Sequence, residues 1–147
     1  MALHRLVEHS VWANLTWVEF VYSQSQPEQR PRELLAHLMI GERVWFDRID
    51  GRPNTTTGFS LLSRDELVQG FEANAATYRQ LINDDLEMVI HFRRASGEAY
   101  HARVLDIIYH LVTHGYHHRG QVAAHYARRE VTYPNTDHIN FLIVNRR

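Results

Sequence analysis

The chain has 147 residues, no Cys, 16 basic against 17 acidic side chains, and 11 His. The missing Cys excludes disulfides, thiolate nucleophiles and Cys-based zinc sites, and a formal net charge of −1 offers no broad basic surface for nucleic acid. A composition of 44% hydrophobic and 22% charged residues is that of a soluble globular protein, and the length suits one domain, residues 1–147, with a sizeable core.

Met1-Ala2-Leu3-His4-Arg5 lacks the apolar stretch of a signal peptide. No apolar run approaches the roughly 20 residues a membrane span needs, so the expectation is a cytoplasmic protein with no membrane partner. Leu3, Leu6, Val7, Val11, Leu15, Val18 and Tyr22 recur at spacings of three and four, which predicts a first helix over 3–22. Ser23 to Pro27 breaks it. Pro31 suits the first turn of a second helix, where its missing N–H would be unpaired anyway. That helix runs to about Asp50, with Leu34, Leu38, Gly41 and Trp45 as its stripe. Gly51 to Gly58 reads as a loop. Ser63 and Glu66 have the spacing of a capping box and open a third helix, striped by Leu67, Phe71, Tyr78, Leu81 and Ile82 and ending near Leu86.

Residues 87–101 change period. Met88, Ile90 and Phe92 alternate, and Ser96-Gly97 is a turn signal, which predicts a small hairpin. A long fourth helix follows over about 103–129. After the Tyr133-Pro134-Asn135 loop, Thr136 is the expected N-cap of a short fifth helix over 137–145. Four long amphipathic helices imply an all-α fold, a four-helix bundle of up-down-down-up order with a short C-terminal fifth helix.

The chemistry concentrates in helix four, in His114-Gly115-Tyr116-His117-His118-Arg119-Gly120-Gln121. On a helix, His114 and His118 are one turn apart on one face, so both can reach one metal ion. With 11 His in the chain, about one such spacing arises by chance, so position must decide. At about 100° per residue, Val104, Ile108, Leu111, Gly115 and Val122 share one side of helix four. His118 sits at the edge of that side and His114 roughly 40° further round. His110, His117 and Gln121 lie further out, and His125 is nearly two turns beyond His118. On helix two, His37 lies at the apolar edge beside Leu34, Gly41 and Val44. A third imidazole from a facing helix would complete a three-ligand set with open positions.

The segment His114 to Gln121 resembles the H-x-x-x-H-R-G-Q signature of the DinB/YfiT-like family. The similarity extends to Val11-Trp12-Ala13-Asn14 in helix one, to Leu35-Ala36-His37-Leu38 with Glu42 and Trp45 in helix two, and to Pro134 through Asp137. It implies a four-helix bundle, a homodimer, and one divalent ion held by His37, His114 and His118. It also implies the activity of a metal-dependent enzyme, a low-molecular-weight thiol S-transferase or a hydrolase. The partner is then a small-molecule substrate such as a low-molecular-weight thiol. The alternative is a non-catalytic bundle that binds a metal or a small molecule.

Three neutral imidazoles leave the ion's charge uncancelled, so a bound water or thiol would be acidified. Zinc and nickel both suit imidazole. Because imidazole must be neutral to ligate, metal loss is expected below about pH 6. Gln121 is a candidate to orient a ligand or substrate. Glu42 and Asp106 are candidate general bases or supports for the ligands. Arg119 is expected to pair with a carboxylate inside the bundle, and Gly120 to allow close helix approach. Trp12, Trp17 and Trp45 are expected in the core. Trp12 and Trp17 on different faces of helix one add a small hint of a dimer.

Overall fold

The computed structural model describes residues 2–53 and 61–145. Its elements in order are α1 (Ala2–Ser23), α2 (Gln29–Ile49), α3 (Arg64–Leu81), β1 (Val89–Arg93), β2 (Ala99–Arg103), α4 (Val104–Ala127) and α5 (His138–Val144). The fold is predominantly helical. Most of the loop expected at 51–58 lies outside the described residues; Gly51 at its start turns with φ +67°.

Local chemistry accounts for most boundaries. Pro31 falls within the first turn of α2. The capping box at α3 is complete: the Ser63 hydroxyl accepts from the Glu66 N–H, and the Glu66 carboxylate accepts from the Ser63 N–H. α3 ends at Leu81, five residues short of the expected Leu86. Asn83 and Asp84 close tight turns back to Gln80 and Leu81 instead, and short polar side chains favour such turns over helix. The hairpin forms as expected, antiparallel, with His91 opposite His101. Gly97 makes its turn at φ +88°, a conformation that suits glycine. Thr136 is not the cap of α5; Asp137 stands there without a side-chain cap bond. Thr136 is drawn onto α1, where its hydroxyl accepts from Trp17 Nε1 at 3.0 Å and its carbonyl accepts from His9 Nε2 at 2.7 Å.

α2 packs on α4 and α3, α1 packs on α3 and α4, α5 rests on α1, and the hairpin lies against α2 and α4. The core has two apolar clusters. One gathers Trp17, Leu34, Leu35, Leu38, Phe71 and Tyr126. The other gathers Phe46, Tyr78, Ile107, Ile108 and Leu111 with Val7. Each large side chain so buried contributes about 1.5–3 kcal/mol.

Between the two clusters lies a polar layer, one step along every helix: Ser10 and Asn14 on α1, Glu42 on α2, Asn74 on α3, and Arg119 on α4, all buried. Gly115 belongs to the same layer. A Cβ there would stand 2.6 Å from Arg119 Nη1, so the glycine leaves room for the guanidinium to cross to α1. The expected stripe of α2 is correspondingly off centre. Leu35, Glu42 and Phe46 are buried while Gly41 and Trp45 are only partly so, because α2 is covered from two sides, by α3 and α4.

Of the three Trp, Trp17 is in the core. Trp12 is half-buried against Phe141 of α5, ring centroids 5.5 Å apart. Its apolar surface is thus used within the chain, which removes the hint of a dimer drawn from it. No helix among the described residues is long and apolar enough to cross a membrane.

Candidate metal centre

The packing of α2 on α4 brings His37, His114 and His118 together. Each offers one ring nitrogen, and the three nitrogens lie within 4.8 Å of one another. Ring centroids are 5.1 Å apart for His37–His114, 4.6 Å for His37–His118 and 4.4 Å for His114–His118. The Nε2 atoms of His114 and His118 are 3.0 Å apart. Two imidazoles bound to one ion at about 2.0–2.1 Å with angles near 90–109° have nitrogens about 2.9–3.4 Å apart. The pair on α4 is therefore already spaced as two ligands, and the group can hold a metal ion.

Each of the three imidazoles is biased to its neutral form. Burial, then the neighbouring His118 and His37, hold His114 down to about 4. Burial and then His118 lower His37, and burial chiefly lowers His118. Gln121 orients His118: its Oε1 accepts from His118 Nδ1 at 2.7 Å. That fixes the tautomer with a bare Nε2, the atom that faces His114. The sequence placed Gln121 in reach of the site, and the structure puts it behind His118.

The remaining histidines of the motif fall outside the group. His117 is exposed; its Nε2 lies 3.4 Å from Gln121 Nε2 and its ring packs edge-on against His118, centroids 4.9 Å apart. His125 lies 3.0 Å from the Glu28 carboxylate. His110 stacks toward Trp45 at 5.5 Å and toward His114 at 5.5 Å, next to the group rather than in it.

The candidate bases do not reach the histidines. Asp106 is exposed and bound to Arg103 at 2.8 Å. Glu42 points into the polar layer, accepting from Asn74 Nδ2 at 2.9 Å, Asn14 Nδ2 at 3.3 Å and the Tyr78 hydroxyl at 3.3 Å. Complete burial raises its carboxyl to about 7, against the opposing pull of these donors and of Arg119. Among the described residues Arg119 makes no direct pair with a carboxylate. Its Nη1 donates to Asn14 Oδ1 at 2.7 Å and to Ser10 Oγ at 3.3 Å. Asn14 therefore stands between the two charges, giving its carbonyl to Arg119 and its amide N–H to Glu42.

Gly120 departs from expectation. No atom of the described residues lies within 4 Å of where its Cβ would be, so it does not serve close contact between the described helices. It borders a cavity of about 440 Å³ between α1, α4 and residues 133–137, which none of the three histidines lines. The cavity beside the histidines is a different one, of about 250 Å³, walled by His37, Ile40, Gly41, Val44, Trp45, His110 and His114.

Sequence reasoning passed over two buried groups. His9 is wholly buried, donating to the Thr136 carbonyl and accepting from the Tyr116 hydroxyl at 3.0 Å. Asn74 was also missed, though it left a signal. It sits three residues after Phe71 and four before Tyr78, a polar residue inside the apolar stripe of α3.

The model for the DinB family matches residues 2–142 of the chain. No curated protein matches it.

Proposed function

The chain belongs to the DinB family, and on that premise we propose that it is a metal-dependent enzyme. In this reading one divalent ion, zinc or nickel, is held by His37, His114 and His118. The reaction is S-transfer with a low-molecular-weight thiol, or hydrolysis. The single observation that carries it is the convergence of three imidazoles from two helices, two of them, His37 and His114, in the wall of a cavity. Three protein ligands leave coordination positions to spare, and the cavity gives a small molecule access to them.

The ion supplies Lewis acidity, lowering the pKa of a water or thiol that reaches it. The protein's part is positional. His114 and His118 present their nitrogens from one helix, and Gln121 holds the ring of His118 in its ligating orientation. Ile40, Val44 and Trp45 give the cavity apolar walls, which strengthens electrostatic interactions inside it. Glu42 does no chemistry at the metal in this scheme; it anchors the polar layer behind the site.

The wider setting completes the proposal. The four long helices form one up-down-down-up bundle domain. The protein acts in the cytoplasm, as a homodimer. The exposed Ile139, Ile143 and Val144 of α5 offer apolar surface for that association, and light scattering at micromolar concentration should give twice the chain mass.

Metal analysis of the purified protein is the first test, followed by a conjugation screen against several low-molecular-weight thiols. Turnover that disappears on chelation and returns with zinc or nickel supports an enzyme. Stoichiometric metal with no turnover on any thiol or ester would favour the non-catalytic alternative. Turnover unchanged by metal removal would overturn the mechanism.

A further inference from the structure

Trp45 and His110 close one end of the cavity beside the histidines. A second cavity, of about 450 Å³, shares those two residues as a common wall and continues to the hairpin, where Arg48, Phe92, Arg94 and Tyr100 line it. The two rings of the shared wall meet edge-on at 5.5 Å. The two cavities adjoin along α2, so a molecule laid across Trp45 and His110 would reach from His37 and His114 to two guanidinium groups.

These arginines are held by rings rather than by acids. The Arg48 guanidinium lies 4.6 Å over the Trp45 ring and 5.3 Å from the Phe92 ring. That of Arg94 lies 5.4 Å over Tyr100. Among the described residues neither makes an ion pair, whereas Arg52, Arg64, Arg79, Arg103 and Arg129 all do. The nearest acid of the hairpin, Glu98, is occupied by the Tyr100 and Ser96 hydroxyls. A ring face stabilises a guanidinium but leaves its N–H donors unspent, and paired donors at the end of an aromatic cleft recognise a planar anion.

We propose that this second cavity is the anion subsite of the substrate: the molecule that presents its reactive group at His37, His114 and His118 carries a carboxylate that Arg48 and Arg94 bind. The inference rests on the proposed function for what happens at the histidines. Geometry sets the length. Trp45 is eight residues from His37, about 12 Å along the helix. The Arg48 side chain reaches back to stack on Trp45, so the carboxylate sits about 12 Å from the ion. The segment between them crosses Val44, Trp45 and His110 and is best apolar or planar.

A matched pair of probes tests this, 8-mercaptooctanoate and 8-mercapto-1-octanol. Their extended length with the metal–sulfur bond comes to about 12 Å. Each is titrated into the cobalt-loaded protein and followed by the sulfur-to-cobalt charge-transfer band. The acid should bind at least tenfold more tightly than the alcohol. The short pair 3-mercaptopropionate and 3-mercapto-1-propanol should show no such preference. In the R48Q/R94Q double variant the eight-carbon ratio should collapse to within twofold, with cobalt stoichiometry unchanged. A ratio near one in the parent protein, or a ratio that survives in the variant, overturns the proposal. If the protein holds no cobalt, the metal reading fails by itself. The same pair is then read by tryptophan fluorescence on the metal-free protein, where a carboxylate preference lost in R48Q/R94Q sustains the subsite and its absence refutes it.

Discussion

The Glu42 carboxyl offers the most quantitative check on the polar layer. Its pKa is raised from an ordinary 4.5 to about 7 by complete burial. A carboxyl with a raised folded-state pKa binds its proton more tightly in the native protein than in the unfolded chain. Its contribution to stability is therefore fully present below pH 4.5 and is lost as pH rises through 7. A shift of about 2.5 units corresponds to about 3 kcal/mol. Glu42→Gln keeps the shape and an acceptor for Asn74, Asn14 or Tyr78, and removes the titration.

Urea denaturation of metal-free protein and variant across pH 4 to 8 reads the effect. The lowered histidines of the metal site push the other way, destabilising the fold as pH falls from 6.5 toward 4, but they are common to both proteins and cancel in the difference. The stability of the parent relative to the variant should fall by about 3 kcal/mol from pH 4 to pH 8. Parallel pH profiles would mean that Glu42 titrates normally, and that Asn14, Asn74, Tyr78 and Arg119 stabilise its charge fully; the reasoning from burial would then be refuted.

Three further outcomes bear on the site. His114→Ala and His118→Ala should each abolish stoichiometric metal binding by equilibrium dialysis, while His117→Ala leaves it intact; the reverse pattern would show the ligands misassigned. Gln121→Ala should weaken metal affinity about 10- to 100-fold by freeing the His118 ring, with the melting temperature of the metal-free protein little changed; unchanged affinity would remove Gln121 from its positioning role. Protons compete with the metal for imidazole, so affinity rises with pH until the rings are neutral. Because burial, with smaller contributions from neighbouring charges, lowers all three histidines, His114 to about 4, chelator-competition titration should place half-release below the pH 6 expected of ordinary imidazoles, and release at or above pH 6.5 would contradict the assigned environments.

The helices, the hairpin and the pairing of His114 with His118 were legible in the sequence because each rests on a local rule, whereas the family resemblance selected His37 and preferred this pair over the other histidines. Apolar period marks α1 to α4, the Ser63–Glu66 pair marks a helix start, and alternation with Ser96-Gly97 marks a turn. The H-x-x-x-H spacing places two imidazoles on one helix face wherever that helix goes. Where local rules compete, the sequence underdetermines the outcome. Thr136 has the chemistry of a cap, yet its hydroxyl and carbonyl are claimed by Trp17 and His9 from more than a hundred residues away. Asp106 and Glu42 are equally plausible bases on paper, and packing sends one to solvent and the other to the interior.

Only the tertiary structure decided the rest. That His37 meets His114 and His118 depends on α2 lying against α4, which no residue of either helix specifies alone. That Asn14 stands between Arg119 and Glu42, and that Gly115 makes room for it, requires three helices at one level. The cavity at Arg48 and Arg94 exists because the hairpin folds back on α2. Periodicity records which face of an element turns inward. It does not record which other element is waiting there, because a side chain's contribution to helix or strand period is the same whatever partner later covers it.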